Sequence, residues 1–220
     1  MINRIKKFIL SIINLFFIDQ NEKNFINHNR TLFNYKSKNS NNEILIEHNK
    51  MRSNYIAVSY VSNILSQIHD AELIGYHPHI KFGLFNKFKL YLTEFKVRKI
   101  YKSFGVNKTL KHNIDKYRVL ASHLTEKLFS EINSKSDLVN LIIDDISIGD
   151  LIYDQYLAEY HEPTPKIKSE KLRKILFDFC ILYYYWFDYF SYKNVKALIV
   201  GHACYFDGVS ARIAISFHIP

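Results

Sequence analysis

The sequence predicts an α/β fold with a mostly parallel sheet and helices on both of its faces. Three short apolar segments predict strands, namely Glu43–Glu47, Ala71–Tyr76 and Val195–Val200. A helical repeat separates the first two, and a β–α–β unit of this length suits the right-handed crossover between parallel strands. Only six glycines and four prolines occur in 220 residues, which argues against an all-β protein rich in tight turns.

The elements around the first crossover can be placed one by one. Residues His48–Asn54 form a predicted loop after the first strand, and Ser53 or Asn54 is the expected N-cap of the next helix. Further helices are predicted over Leu84–Ser103, which is lysine-rich on one face, and over Asp115–Ile132. The crossover helix itself is indicated by apolar residues at a 3.6-residue repeat: Ala57, Tyr60, Val61, Ile64, Leu65 and Ile68.

The last third of the chain continues the alternation of helices and strands. Pro163 and Pro165 exclude a helix at their own positions, and a long helix is predicted to begin at Ser169. Its segment YYYWFDYF has the period of a core-facing helix, which we favour over a sugar-stacking platform. The apolar segment Val195–Val200 is typical of a central strand covered on both faces, and Val209–Phe217 is the helix expected after it.

The first nineteen residues, MINRIKKFILSIINLFFID, predict an amphipathic helix with a basic start. Its apolar run Phe8–Ile18 is too short to cross a bilayer, which takes about 20 helical residues, and no small-residue cleavage site follows it. Two environments remain open for this helix, the membrane interface and the protein's own core. Residues Asn21–Asn42 are polar and Asn-rich and predict a linker, which divides the chain into residues 1–42 and a domain over residues 43–220.

The charges are distributed unevenly along the chain, which has a net charge of +9. Residues 81–118 contain eleven Lys or Arg against Glu94 and Asp115, whereas residues 137–162 contain seven carboxylates and no Lys or Arg. The basic stretch suits a phosphate-bearing partner, such as anionic lipid, nucleic acid or a pyrophosphate-linked substrate. A solvated helix face explains such a stretch equally well.

None of the widely diagnostic cofactor motifs is present. The sequence lacks a P-loop, a GxGxxG fingerprint, an HExxH motif and a nucleophile elbow. The two cysteines, Cys180 and Cys204, do not have metal-ligand spacing. We therefore expect no cofactor, no metal and no disulfide framework, which suits a reducing cytoplasm.

Two segments carry residues suited to a ligand site. The first, DDISIGDLIYDQYL, places Asp150 in the first turn of a predicted helix and Asp154 one turn later on the same face. These carboxylates could bind sugar hydroxyls or supply a base, although Asp150 could equally be an ordinary first-turn acid. The second, VGHACYFDGVSARIA, delivers His202 to the carboxyl end of a predicted strand, where open α/β folds bind their ligands. A histidine so placed can act as a general base, although a lone histidine is more often structural.

The loop after the first strand belongs at the same edge of the predicted sheet. We therefore expect His48, Arg52, Asp150, His202 and Tyr205 to converge on one concave surface. His202 is the candidate catalytic base, with Asp150 as the alternative. The predicted substrate-binding residues are His48, Arg52, Tyr205 and Arg212.

The segment IGDLIYDQYL, followed by a strand that runs into the pattern GHxxYxxGxxxRIA, resembles the amino-terminal half of bacterial capsule and lipopolysaccharide biosynthesis glycosyltransferases. The resemblance covers residues 43–220. It implies a Rossmann-like domain on the acceptor side of a two-domain enzyme of GT-B type, whose other domain holds the nucleotide-sugar. It also implies that Asp150, His202, Tyr205 and Arg212 line the acceptor side of the cleft. Nothing in the sequence corresponds to the second domain, so we expect a truncated enzyme that is inactive alone.

Two functions from other classes compete with this interpretation. A non-catalytic membrane-surface module of a polysaccharide assembly system accounts for the first helix and the basic stretch, but not for the polar residues at strand ends. A nucleic-acid-binding protein is the weakest option, because an acidic block lies beside the basic one and no reader motif is present. The expected partner is a carbohydrate or lipid-linked sugar acceptor. We further expect a cytoplasmic protein with peripheral membrane contact through residues 1–19 and 81–118, and no nucleic acid.

Overall fold

The computed structural model describes residues 18–38, 41–49, 51–77, 95–111 and 113–220. The chain divides into two compact units, Met1–Leu110 and Lys111–Pro220, and residues 43–220 therefore contribute to both. The predicted α/β class, with a parallel sheet flanked by helices, is confirmed. The predicted amphipathic helix over residues 1–19 lies outside the described residues, except for its last two.

The first unit is built around parallel strands. Strand β1 (Asn42–Glu47) pairs with β2 (Glu72–Tyr76) from Glu43 opposite Glu72 to Glu47 opposite Tyr76. The short strand β3 (Lys108–Thr109) pairs in parallel with the other side of β2. Helix α2 (Arg52–His69) connects β1 to β2 and packs against both, so the predicted β–α–β unit is confirmed. The central residues Ile44, Leu45 and Ile46 of β1 are fully buried.

The predicted linker over Asn21–Asn42 is wrong in its first half, because helix α1 occupies Gln20–Leu32. A capping box begins this helix: the Asp19 carboxylate accepts from the Glu22 N–H, and the Glu22 carboxylate accepts from the Asp19 N–H. Glu22 is also buried and paired with Lys96, with 2.7 Å between Oε1 and Nζ. The polar segment therefore forms a helix, and the carboxylate of Glu22 makes a tertiary contact with Lys96.

Helix α2 begins at Arg52 rather than at the predicted Ser53 or Asn54, and Met51 is its N-cap. Its apolar repeat marks the exposed face. The residues that face the strands are mostly small and polar, and Ser66 donates to the Ala71 carbonyl at 2.6 Å. Small side chains allow the helix to lie close to the sheet, which leaves the larger apolar residues outward. Those exposed residues are Ile56, Tyr60, Val61, Ile64 and Ile68.

In the same unit, residues 95–102 are helical and form helix α3, which confirms the described part of the helix predicted over Leu84–Ser103. The rest of that prediction, residues 84–94, lies outside the described residues. The buried Tyr101 and Phe104 anchor α3 and the turn after it. The turn ends at Gly105 in the left-handed region, with φ of 104°.

The second unit begins with a 3-10 turn, Asp115–Tyr117, and helix α4 (Arg118–Glu131), as predicted. A short helix α5 (Lys135–Val139) precedes an antiparallel pair, β4 (Ile142–Ile143) and β5 (Ile146–Ser147). Helix α6 (Gly149–Tyr160) follows directly, and His161 in the left-handed region ends it two residues before Pro163.

Helix α7 (Glu170–Tyr192) is the core of the second unit and packs against α4 and α8. Trp186 is 1 % exposed and Phe179 is fully buried. The aromatic-rich segment is thus a core-facing helix, as its period predicts. The unit ends with strand β6 (Asn194–Ile199), a 3-10 turn at Tyr205–Asp207 and helix α8 (Gly208–Ser216).

Strand β6 is where the sequence predicts a strand, but the prediction of cover on both faces is wrong. Only Val195 and Ala197 are buried, whereas Lys196, Leu198 and Ile199 are half-exposed. Alternate residues of a strand face opposite sides, and Lys196 lies on the more exposed one. Among the described residues, no helix is both long enough and apolar enough to cross a membrane.

Candidate functional site

The two sequence segments that carry the resemblance form one contiguous structure in the second unit. The Asp150 side chain, in the first turn of α6, lies 2.6 Å from Arg212 in α8, measured from Oδ2 to Nη2. Arg212 also donates from Nη1 to the Ser147 carbonyl at 3.0 Å. Two of the predicted site residues, 62 positions apart, are therefore brought together. We call the surface formed by Asp150, Arg212 and the loop 200–207 the motif surface.

Two glycines in these segments are required by close packing. A Cβ atom on Gly149 would lie 2.0 Å from the Leu138 carbonyl oxygen, so α6 can begin this close to α5 only with glycine. A Cβ atom on Gly208 would lie 2.5 Å from the Ala203 carbonyl oxygen, where the loop folds back on the start of α8. Both glycines therefore fix the shape of the motif surface.

The loop after β6 is anchored to helices α6 and α7. The Phe206 side chain is buried, and its ring centroid lies 6.3 Å from that of Phe179 in α7. The Phe206 N–H donates to the Gln155 side chain of α6 at 3.4 Å. These contacts link the loop to α6 and α7, so its exposed residues are presented by an anchored segment.

His202 and Tyr205 are the two ring-bearing residues of that loop that are exposed. Their rings stack with centroids 5.7 Å apart and an interplanar angle of 5°. Tyr205 has φ of 54°, in the left-handed region that residues other than glycine seldom adopt. Strained residues of this kind concentrate at functional sites, and both rings are open to solvent.

The carboxylate of Asp150 is held in an ion pair. Its Oδ2 atom is held by the Arg212 guanidinium, and its Oδ1 atom is buried without a hydrogen-bond partner among the described residues. The Asp150 carboxylate is therefore already engaged by Arg212, whereas the His202 ring is exposed on the loop.

The first unit places another predicted site residue, His48, at the carboxyl end of β1. Its backbone N–H donates to the Tyr76 carbonyl at 2.9 Å and so continues the parallel ladder. The ring is 8 % exposed and meets the ring of His77 edge-on, with centroids 4.7 Å apart. Burial lowers the pKa of His48 to about 3, and the electrostatic influence of His77 and Arg98 acts in the same direction.

Arg52 begins α2 and is engaged with the start of α1. Its Nη1 atom lies 2.8 Å from Asp19 and its Nη2 atom 3.1 Å from Glu22. Arg52 thus joins two helix N-termini within the first unit. The prediction that it shares one surface with His48, Asp150, His202 and Tyr205 concerns both units and stays a prediction.

Sequence reasoning missed His77, Arg98 and Tyr101 around His48. Tyr101 donates its hydroxyl to the Glu47 carbonyl at 3.1 Å, and its ring lies 4.9 Å from that of His48. His77 had a signal, since it directly follows β2 as His48 directly follows β1, and parallel strands end at the same edge. Arg98 and Tyr101 lie far from His48 in sequence and carry no such signal.

One cleft of the first unit lies at the opposite ends of the strands. It has a volume of about 270 Å³ and is lined by residues that include Tyr35, Ser66, Glu72 and Lys108. Several of its polar side chains are already engaged within the protein, as in the Lys108–Glu72 pair at 2.8 Å and the Tyr35–Asp70 hydrogen bond at 2.6 Å. Because α/β folds bind ligands at the carboxyl ends of strands, we do not assign the site to this cleft.

Within the described residues, no group of three His, Cys, Asp or Glu side chains is arranged to hold a metal ion. Comparison with protein-family models, with curated proteins and with solved structures found no match.

Proposed function

We propose that this chain is the acceptor-binding α/β domain of a bacterial surface-polysaccharide glycosyltransferase of GT-B type. The observation that carries the proposal is the motif surface. Its two segments are the ones by which the sequence resembles that family, and they meet through the Asp150–Arg212 pair. Among the side chains that this arrangement leaves exposed, His202 and Tyr205 have the chemistry that a sugar acceptor requires.

A sugar presents C–H groups on the faces of its ring and hydroxyls around its edge. An exposed tyrosine offers an apolar ring face together with a hydroxyl, and a histidine offers one donor and one acceptor nitrogen. His202 and Tyr205 lie on one loop at the end of a strand, which is the usual place for ligand-binding residues in α/β folds. In this proposal Tyr205 stacks on the acceptor and His202 binds its reactive hydroxyl.

His202 also has the role of general base in the proposed reaction. Glycosyl transfer removes a proton from the acceptor hydroxyl as that oxygen attacks the donor's anomeric carbon, and an imidazole within hydrogen-bond reach can accept it. Asp150 orients Arg212 and the start of α8, and so has a positioning role. The donor and its departing phosphate would be held by the second domain of such an enzyme.

A glycan array of bacterial capsule and lipopolysaccharide oligosaccharides tests the proposal. We expect the purified chain to bind a subset of these glycans, and Tyr205→Ala to weaken the signal. The matched control is Tyr192→Ala, since Tyr192 is 82 % exposed at the end of α7. The proposal fails if no glycan binds, or if both tyrosine variants bind as well as the native chain.

We also propose that the protein acts in the cytoplasm, at the inner face of the plasma membrane. Support comes from the sequence of residues 1–19, where a basic start precedes an apolar run. Co-sedimentation with vesicles of 70 % phosphatidylcholine and 30 % phosphatidylglycerol, proportions in which the anionic lipid attracts basic segments, tests it. The Lys6→Glu, Lys7→Glu variant should lose binding, whereas Lys127→Glu on exposed α4 should keep it. Equal binding by all three proteins, or none, would contradict this placement.

A further inference from the structure

His48 is a buried histidine with unmet hydrogen-bonding capacity. Neither Nδ1 nor Nε2 has a hydrogen-bond partner among the described residues, although the side chain is 8 % exposed. A neutral imidazole has one N–H donor and one acceptor nitrogen, and buried polar groups in native proteins are almost always paired. The exceptions call for a ligand, an ion or a water molecule at the site.

The position of His48 favours a ligand. His48 and His77 directly follow the adjacent parallel strands β1 and β2, at the carboxyl edge where α/β folds bind ligands. Gly75 makes room for the ring, because a Cβ atom there would lie 2.0 Å from Nε2 of His48. The histidine ring thus occupies a place that only a glycine in the neighbouring strand can leave open.

The charges around this edge select the kind of ligand. Among the described residues, His77 and Arg98 act on His48 electrostatically, and both disfavour a positive charge on it. Successive residues of a strand project from opposite faces of the sheet, so Glu47 is expected on the face opposite to His48. Its carboxylate acts electrostatically on Tyr101. An anion would therefore meet N–H donors and a nearby guanidinium at this edge.

We propose that the carboxyl ends of β1 and β2 form an oxyanion-binding site. Because Nε2 of His48 lies against Gly75, His48 donates its Nδ1–H to an oxygen of a phosphate or carboxylate group. His77 donates a second N–H, and Arg98 supplies positive charge. Charge-assisted hydrogen bonds of this kind are shorter and stronger than neutral ones. The proposal concerns the first unit and does not depend on the function proposed from the motif surface.

Histidine-ring NMR of the full chain tests the site directly. The ring ¹⁵N and ¹H signals are recorded during titration with sodium phosphate, sodium acetate and, at matched ionic strength, sodium chloride. We expect a saturable shift of the His48 ring signals with phosphate or acetate and none with chloride. The tighter of the two anions identifies the group as phosphate or carboxylate. Absence of a saturable His48 shift with either anion overturns the proposal.

Variants then assign the binding to these side chains. His48→Gln and His77→Gln should each weaken binding of the anion about tenfold. His28→Gln, which alters an exposed histidine of α1, should leave it unchanged. If circular dichroism shows that His48→Gln does not fold, His77→Gln decides the question. An unchanged affinity in a folded His77→Gln protein contradicts the proposal, since the ring of His77 is then not part of the site.

Discussion

The guanidinium of Arg212 lies 2.6 Å from the carboxylate of Asp150 and also donates to the Ser147 carbonyl, so α8 is fixed to the start of α6. The ion pair is partly exposed, with side-chain exposures of 33 % and 46 %. Pairs of this kind contribute modestly to stability, because solvent screens them. Their larger effect here is on position, since the loop that presents His202 and Tyr205 runs directly into α8.

A double-mutant cycle measures this coupling. Asp150→Ala and Arg212→Ala should each lower the free energy of unfolding, and the cycle should give a coupling energy of about 0.5 kcal/mol. Urea denaturation followed by circular dichroism provides the four values. Asp154→Ala is the control for Asp150→Ala, because Asp154 is exposed one turn later on α6. A coupling energy indistinguishable from zero would show that the pair does not fasten α8.

Helix α2 buries its mostly polar face and exposes large apolar side chains, and stability measurements can test this orientation. Ser62 is fully buried and Ser53 is exposed on the same helix. Ser62→Leu should lower the free energy of unfolding by about 1–3 kcal/mol through overpacking, whereas Ser53→Leu should change it by less than about 0.5 kcal/mol. Ile68→Lys should also be nearly neutral, since Ile68 is 68 % exposed.

Urea denaturation of these three variants decides which face of α2 is covered. A large loss of stability in Ile68→Lys together with a neutral Ser62→Leu would contradict the orientation described above. Equal effects of the two serine changes would contradict it as well.

The β–α–β unit could be predicted because the apolar segments of strands β1 and β2 and the length of the crossover between them are both visible in the local sequence. The orientation of α2 could not, since small serines face the strands and an apolar repeat by itself does not show which side is covered. Helix α1 was missed for a related reason. Its capping box is visible at Asp19 and Glu22, but the tertiary pair between Glu22 and Lys96 is not a sequence pattern.

The candidate site likewise has features that the sequence predicts and features that only the fold reveals. The predicted strand Val195–Val200 places His202 in the loop that follows β6, and the structure has it there. The contact of Asp150 with Arg212 joins residues far apart in sequence, and only the fold reveals that it engages the carboxylate. His77 belongs to a pattern that was visible in the sequence, a histidine directly after each of two adjacent strands.

The low pKa of His48 predicts a pH dependence of stability. An unfolded histidine has a pKa of about 6.5, whereas that of folded His48 is about 3. Below about pH 6.5 the unfolded state therefore binds more protons, and stability should fall on acidification by up to about 1.4 kcal/mol per pH unit. Carboxylates with lowered pKa values, such as Asp19 and Asp70, lose their contribution only below about pH 4.

Urea denaturation between pH 7 and pH 5 measures the contribution of His48 to stability apart from that of the Asp19 and Asp70 carboxylates. Those carboxylates protonate only below about pH 5. The native chain should lose stability over this interval, and His48→Gln should lose clearly less. His28→Gln serves as the control and should retain the native slope. Parallel profiles for native chain and His48→Gln would show that this histidine is not held neutral by the fold.

Because the proposed function assigns the acceptor to this domain and the donor to a second domain, we predict no turnover in the isolated chain. Transfer needs groups from both sides of an interdomain cleft, and the sequence contains no recognisable nucleotide site. We therefore predict no transfer from UDP- or CMP-sugars, and little hydrolysis, with a heat-denatured sample as the blank. Turnover at about 1 per second or faster would contradict the acceptor-domain account and would place a complete active site within these residues.

The affinity of the chain for its best array glycan, measured by isothermal titration calorimetry, tests the central claim most directly. We predict saturable binding, with a dissociation constant that rises about tenfold in His202→Ala, equivalent to about 1.4 kcal/mol for a lost hydrogen bond. His123→Ala, which alters an exposed histidine of α4, should bind as the native chain does. Equal dissociation constants for the native chain and for His202→Ala would contradict the claim that the motif surface is the acceptor site.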